Sequence, residues 1–204
     1  MRRQALPSAV TFIIAGVLAL AGCSANSGEP KGGSESGPAS GGKPLVVAME
    51  LAYPPFETKN QAGEPEGVAP DFMRDFAEQY DYDLTIENTA FDGLIPMLQT
   101  GKADAVMSSM TITEDRAQSV DFTDPYARAQ LAILANSASD ITDIADLNAP
   151  DKTVAVKTGS TGDVFATKNL PEAQIGRLAD ESAAVTEVVQ GKADDEGLSI
   201  ECVR

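Results

Sequence analysis

Leu98-Gln99-Thr100-Gly101-Lys102-Ala103-Asp104-Ala105-Val106-Met107-Ser108-Ser109-Met110-Thr111-Ile112-Thr113-Glu114-Asp115-Arg116 decides how this chain is read. It opens as the end of an amphipathic helix over 93–100, with Leu94, Ile95, Met97 and Leu98 facing inward. Gly101 can cap that helix, and Ala105-Val106-Met107 has the apolar continuity of a buried strand. The strand runs into small hydroxyl residues and a new helix start, capped by Thr111 or Thr113. Upstream, Leu45-Val46-Val47-Ala48-Met49 is a second buried strand. Phe72, Met73, Phe76, Ala77 and Tyr80 recur at helical spacing over 69–80, and residues 84–87 alternate as a strand. Strand–helix–strand–helix–strand is the signature of an α/β layer with right-handed crossovers. Asp71, at the head of the first helix, reads as its N-terminal cap.

The helix-to-strand junction recurs. Val189-Gln190-Gly191-Lys192-Ala193-Asp194 nearly repeats 98–104 about ninety residues later. Between the copies lie the apolar runs 131–134 and 153–156 and a helical stretch over 181–190, so two similar α/β lobes follow one another. After the second copy comes Asp195-Glu196-Gly197-Leu198-Ser199, poor material for a buried central strand. The second lobe is therefore expected to be incomplete, with an aberrant tail from about residue 195 that reads as a shifted frame, a fragment or a decayed copy.

Met1-Arg2-Arg3, an apolar core over 9–20 and Leu20-Ala21-Gly22-Cys23 form a secretory signal followed by a cleavage site; the apolar core is too short to span a bilayer. The Leu-Ala-Gly-Cys run resembles the lipobox of bacterial lipoproteins, which implies lipid attached to Cys23 and a protein held outside the cell membrane. Residues 23–43 are Gly, Ser and Pro rich and read as a flexible tether. The expected division is thus 1–22 signal, 23–43 tether, 44–130 first lobe and 131–204 second lobe.

The net charge of −16 disfavours nucleic acid as a partner. Two cysteines and no histidine argue against a disulfide framework, a zinc site or a Cys–His nucleophile. No cofactor, metal or catalytic residue is expected.

The stretch 108–116 offers small hydroxyls, backbone N–H groups and one arginine within a single turn. Those are the parts needed to hold a carboxylate by hydrogen bonds and a bidentate ion pair. Arg116 stands out because a first-turn position serving helix stability favours an acid, as at Glu114 and Asp115. Ser160 and Thr161 sit at a second strand-to-helix junction whose N–H groups suit an anion. Glu50 and Lys157 end equivalent strands of the two lobes, placed either to meet across a cleft or to touch a ligand side chain. An acid beside a base suits a neutral polar group such as an amide. Ser108 and the carbonyl of Met110 are candidates for an ammonium.

From 44 to about 194 the chain resembles the polar amino-acid family of bacterial ABC-transporter solute-binding proteins. The resemblance rests on Pro54-Pro55-Phe56-Glu57, Gly67-Val68-Ala69-Pro70-Asp71, Phe91-Asp92-Gly93-Leu94-Ile95-Pro96 and Gly101-Lys102-Ala103-Asp104. Further landmarks are Met110-Thr111-Ile112-Thr113-Glu114-Asp115-Arg116, Asp121-Phe122-Thr123-Asp124-Pro125-Tyr126 and Val156-Lys157-Thr158-Gly159-Ser160-Thr161-Gly162. It implies a two-lobed, periplasmic-binding-protein-like (type II) α/β fold with mostly parallel sheets and hinge closure around a ligand. It implies that Arg116, Ser109, Thr111, Ser160 and Thr161 hold the α-carboxylate, and that Tyr53 and Phe91 enclose the side chain. The implied protein is a monomeric, non-enzymatic receptor that hands an amino acid, glutamine-like by the Glu50–Lys157 pairing, to an ABC permease. A remnant of such a receptor and a dehydratase on the same fold are the alternatives.

Overall fold

The structure of the protein, a computed structural model, describes residues 41–136 and 138–190, together with the backbone of 198–203. The expected signal segment, the lipidation site at Cys23 and the tether up to residue 40 lie outside the described residues, as does the second junction glycine, Gly191. Among the described residues no helix is long and apolar enough to cross a membrane.

The first α/β unit is built on β1 (Lys43–Met49), flanked by β4 (Tyr82–Asn88) and β5 (Ala105–Val106) in the order β4-β1-β5. Both pairings are parallel, with Val47 opposite Ile86 on one side and Ala105 on the other. A central strand of this kind is covered on both faces, which is why 45–49 is apolar without alternation. Val47, Ala48 and Met49 are fully buried. A short hairpin, β2 (Thr58–Lys59) and β3 (Pro65–Glu66), leads into α1 (Val68–Tyr80).

Two details of α1 differ from the sequence reading. Gly67 occupies the N-cap with φ of 121°, a backbone region that suits glycine, and a Cβ there would stand 2.6 Å from the Phe56 carbonyl oxygen. Asp71 is therefore no cap: it lies one turn inside the helix and pairs with Arg74 at 2.8 Å. The buried stripe is also narrower than the apolar pattern: Met73 and Ala77 are buried, Phe76 packs against the core, but Phe72 and Tyr80 are 55% and 57% exposed. A single sheet face accepts about a third of a helix's circumference, so the flanks of a wide apolar stripe stay in water.

Next come a 3-10 turn, Phe91–Gly93, and α2 (Leu94–Gln99). Gly101, at φ of 67°, ends α2 as expected. Its N–H donates to the Leu98 carbonyl and that of Lys102 to the Met97 carbonyl, the pair of hydrogen bonds that closes a helix with a left-handed residue. The chain emerges as β5, only two residues long, and passes to α3 (Glu114–Ala117).

The second unit places β7 (Thr153–Lys157) parallel to β8 (Gln174–Leu178), with α4 (Thr161–Asn169) between them and α5 (Glu181–Gln190) following. Val154, Val156, Ala166, Leu170 and Leu147 form one side of its core; Ala155, Ala184 and Val188 form the other. β6 (Ala129–Leu134) is paired antiparallel to β9 (Leu198–Val203), from Ala129 opposite Val203 to Leu134 opposite Leu198. The terminal stretch thus runs as a strand against one neighbour, a less demanding position than a central parallel strand.

Candidate functional site

β1 is the central strand of its sheet and β7 the buried strand of the β7–β8 pair, and each leads into or ends on a charged residue. Glu50 follows β1 directly, and Lys157 is the last residue of β7. The carboxyl ends of parallel strands are where open α/β sheets collect ligands. The two side chains meet: Lys157 Nζ lies 2.8 Å from Glu50 Oε2, with side-chain exposures of 6% and 7%. Lys157 also pairs with Glu181 Oε1 at 2.5 Å, from the first residue of α5. Its ammonium stands 4.0 Å from the centroid of the Phe91 ring and 5.5 Å from that of Tyr53. The two aromatic residues therefore bracket the charge, as cation–π geometry favours.

Glu50 is held by its backbone, whose N–H donates to Ser108 Oγ at 2.9 Å. Ser108 is buried, and its hydroxyl ties the end of β1 to the turn after β5. Burial pushes the Glu50 carboxyl up, and the hydrogen bond and charge of Lys157 partly offset that.

The next turn carries the expected carboxylate residues. Ser109 has a left-handed backbone, φ of 48°; its N–H donates to the Tyr126 hydroxyl and its own hydroxyl to Glu57 Oε2. Thr113, the second of the two cap candidates, is the N-cap of α3 and accepts from the Arg116 N–H. α3 has only four residues, so Arg116 stands in its first and its last turn at once. A dipole argument for Arg116 therefore has no force. Its guanidinium donates to the Thr111 carbonyl at 2.7 Å and, from the other terminal nitrogen, to the Gly159 carbonyl at 3.0 Å, and lies 5.5 Å from the Phe91 centroid. Ser160 is the N-cap of α4, accepting from the Asp163 N–H, with Thr161 the first helical residue. Arg116 thus joins the hydroxyl turn after β5 to the turn that opens α4.

Two adjoining cavities share Tyr53, Ser109 and Thr161. The larger, about 780 Å³, also takes in Ser108, Met110 and Thr111. The smaller, about 10 Å³, is lined as well by Phe91, Lys157, Ser160, Gly162 and Glu181. That is space for roughly one water, so the two units must part to admit a side chain there. Arg116 and Glu50 border neither cavity directly and reach the site through their bonding partners.

Two acids at or beside this site were not singled out from the sequence as site residues. Glu181 looks like an ordinary first-turn helix acid, and Glu57 belongs to a turn motif. Glu57 is 1% exposed, and burial raises its carboxyl to about 7 against the weaker pull of the Ser109 hydroxyl and Lys157. Because the folded form binds the proton more tightly than the unfolded chain, stability falls as pH rises from about 4.5 to 7 and is flat above. Glu57 alone should give a slope worth up to about 3 kcal/mol across that window. Urea midpoints of the wild type against Glu57→Gln test this: the slope should be smaller in the variant by about that amount, Glu50 keeping a share of its own, and an equal slope in both would refute it.

A model of the bacterial extracellular solute-binding proteins, family 3, matches residues 45–196. The L-arginine-binding protein of Pseudomonas aeruginosa is 35% identical over 155 residues, covering 74% of this chain and 59% of its own length. The chain thus spans about three fifths of that relative. Among solved structures, an ancestral amino acid-binding protein described as a precursor of cyclohexadienyl dehydratase superimposes with a TM-score of 0.71 at 39% identity, over 76% of this chain and 70% of that one. An ancestral arginine-binding protein bound to glutamine gives 0.69 at 33% identity, over 76% and 69%. The two-lobed α/β architecture, the charged residues closing β1 and β7, and a family match over three quarters of its length make this chain a member of the bacterial extracellular solute-binding proteins, family 3.

Proposed function

We propose that the protein is the substrate-binding component of an amino-acid ABC importer, held at the outer face of the cell membrane by lipid on Cys23, monomeric, and delivering its ligand to a permease. The observation that carries this reading is the meeting of β1 and β7 through the Glu50–Lys157 ion pair, 107 residues apart in sequence and buried. A closing cleft grips a small ligand where such strand ends converge.

In this reading the α-carboxylate is taken by Arg116, the hydroxyls of Ser109 and Thr111, and the N-terminal turn of α4 at Ser160 and Thr161. Ser109, Thr111 and Thr161 line the larger cavity. The side chain then points to the smaller one, between Tyr53 and Phe91 and toward Glu50 and Lys157. Ser108 and the Met110 carbonyl stand on the side of the ammonium.

Lys157 sets the ligand class. A cationic side chain would have to place its charge beside an ammonium already seated between two carboxylates. A neutral amide offers an acceptor to that ammonium and donors to the acids, so glutamine is the favoured ligand. A relative is named for binding L-arginine, a cation, which makes titration with a panel of L-amino acids the test. Saturable one-to-one binding with glutamine strongest is expected. Clear preference for arginine, lysine or histidine overturns the glutamine assignment. Binding of no amino acid overturns the receptor reading and favours a remnant that does not close.

A further inference from the structure

The mechanism outlined for the cleft leaves one buried atom unused. Glu181 Oε1 pairs with Lys157, but Oε2 of the same carboxylate is buried and accepts no hydrogen bond from any described residue. A buried carboxylate oxygen without a donor is costly, and native structures leave few of them. Glu181 also lines the smaller cavity, alongside Tyr53, Phe91, Lys157 and Thr161. The donor that would satisfy Oε2 comes from what occupies that cavity: a water while the units are closed on it, and a ligand group once they part to admit one.

We infer that Glu181 is a specificity-determining residue that accepts an N–H from the end of the ligand's side chain. The inference rests on the receptor reading above and deepens it. Lys157 carries three N–H donors, two of which its pairs with Glu50 and Glu181 account for. An amide group seated there presents its oxygen to the ammonium and its NH₂ to Oε2, so donor and acceptor are both matched. A methyl ester, one carbon larger, presents oxygens but no donor and leaves Oε2 buried and unsatisfied. Sites built to hydrogen-bond a polar group reject the analogue lacking it more strongly than they reject a missing methylene.

The test compares L-glutamine with L-glutamic acid γ-methyl ester by isothermal titration on the wild type, Glu181→Gln and Glu181→Ala. The wild type should bind glutamine more tightly than the ester. Glu181→Ala should weaken glutamine roughly tenfold to a hundredfold, the range of a lost charge-assisted hydrogen bond, and leave the ester within about threefold. Glu181→Gln keeps an acceptor and the helix start, so its loss should be smaller, and thermal midpoints of both variants establish that they fold. Equal weakening of both ligands would assign Glu181 to holding Lys157 and overturn the inference; so would an unchanged ratio. A wild type that binds neither ligand overturns the receptor reading instead.

Discussion

Arg116→Ala should cut glutamine affinity by about 2–5 kcal/mol, roughly thirtyfold to several-thousandfold, the cost of removing one partner from a desolvated charge pair. Arg116 has structural work as well, since its two terminal nitrogens donate to the Thr111 and Gly159 carbonyls. A loss of affinity alone would therefore not separate a ligand contact from a loosened cleft. Glutaminamide, whose α-carboxylate is replaced by a carboxamide, separates them. If Arg116 forks onto the carboxylate, the variant weakens glutamine far more than glutaminamide, and the two ligands converge in affinity. Arg116→Lys should recover only a fraction, because an ammonium keeps the charge but cannot form the bidentate pair. An equal loss for both ligands would reduce Arg116 to a brace between the two turns. Unchanged glutamine affinity would remove it from the site altogether.

What could be read in the residues follows the strength of the local pattern. β1 and β7 are continuous apolar runs, and α1 and α5 have clear helical spacing, so their existence and type were legible. So was the glycine closure at Gly101, because a left-handed residue between a helix and a strand has few substitutes. β8 was not legible: Gln174–Leu178 places a glycine and an arginine in the middle of five residues, and its parallel partner is twenty-one positions away. The two-residue strands β2 and β3 are too short to show any period.

Within the site, the chemistry carried by strand ends was visible, and Glu50 and Lys157 do meet. Which of the two expected outcomes would occur, a meeting across the cleft or separate contacts to a ligand, depends on how the units pack, and no local pattern encodes that. Glu181 was hidden for a different reason. An acid opening a helix is so well explained by the helix dipole that its position, against Lys157 in the smaller cavity, does not register in sequence. A search for acids at helix starts that follow a parallel strand would have found it.

Lys157→Met should be the most destabilising single change in the cleft. It removes the cation from two carboxylates at once, one of them on a residue only 5% exposed, and breaking a buried pair from one side costs about 3–5 kcal/mol. The sign of its pH dependence follows from Glu50. Burial already raises that carboxyl and only Lys157 holds it down, so without the ammonium Glu50 titrates higher still in the folded state. A raised carboxyl means the folded form binds protons more tightly than the unfolded one, so the destabilisation should shrink as pH falls toward the unfolded value and be largest in mild alkali. Pairing the change with Glu50→Gln should restore much of the loss, since a neutral amide needs no counter-charge. Lys157→Met alone also tests the ligand assignment, in the opposite direction. With the resident ammonium gone, two carboxylates between Tyr53 and Phe91 form a site for an external cation, and arginine should overtake glutamine in a competition titration. If urea midpoints fall but glutamine stays ahead, Lys157 holds the cleft together without selecting what enters it. If neither moves, the buried pair does not exist in solution.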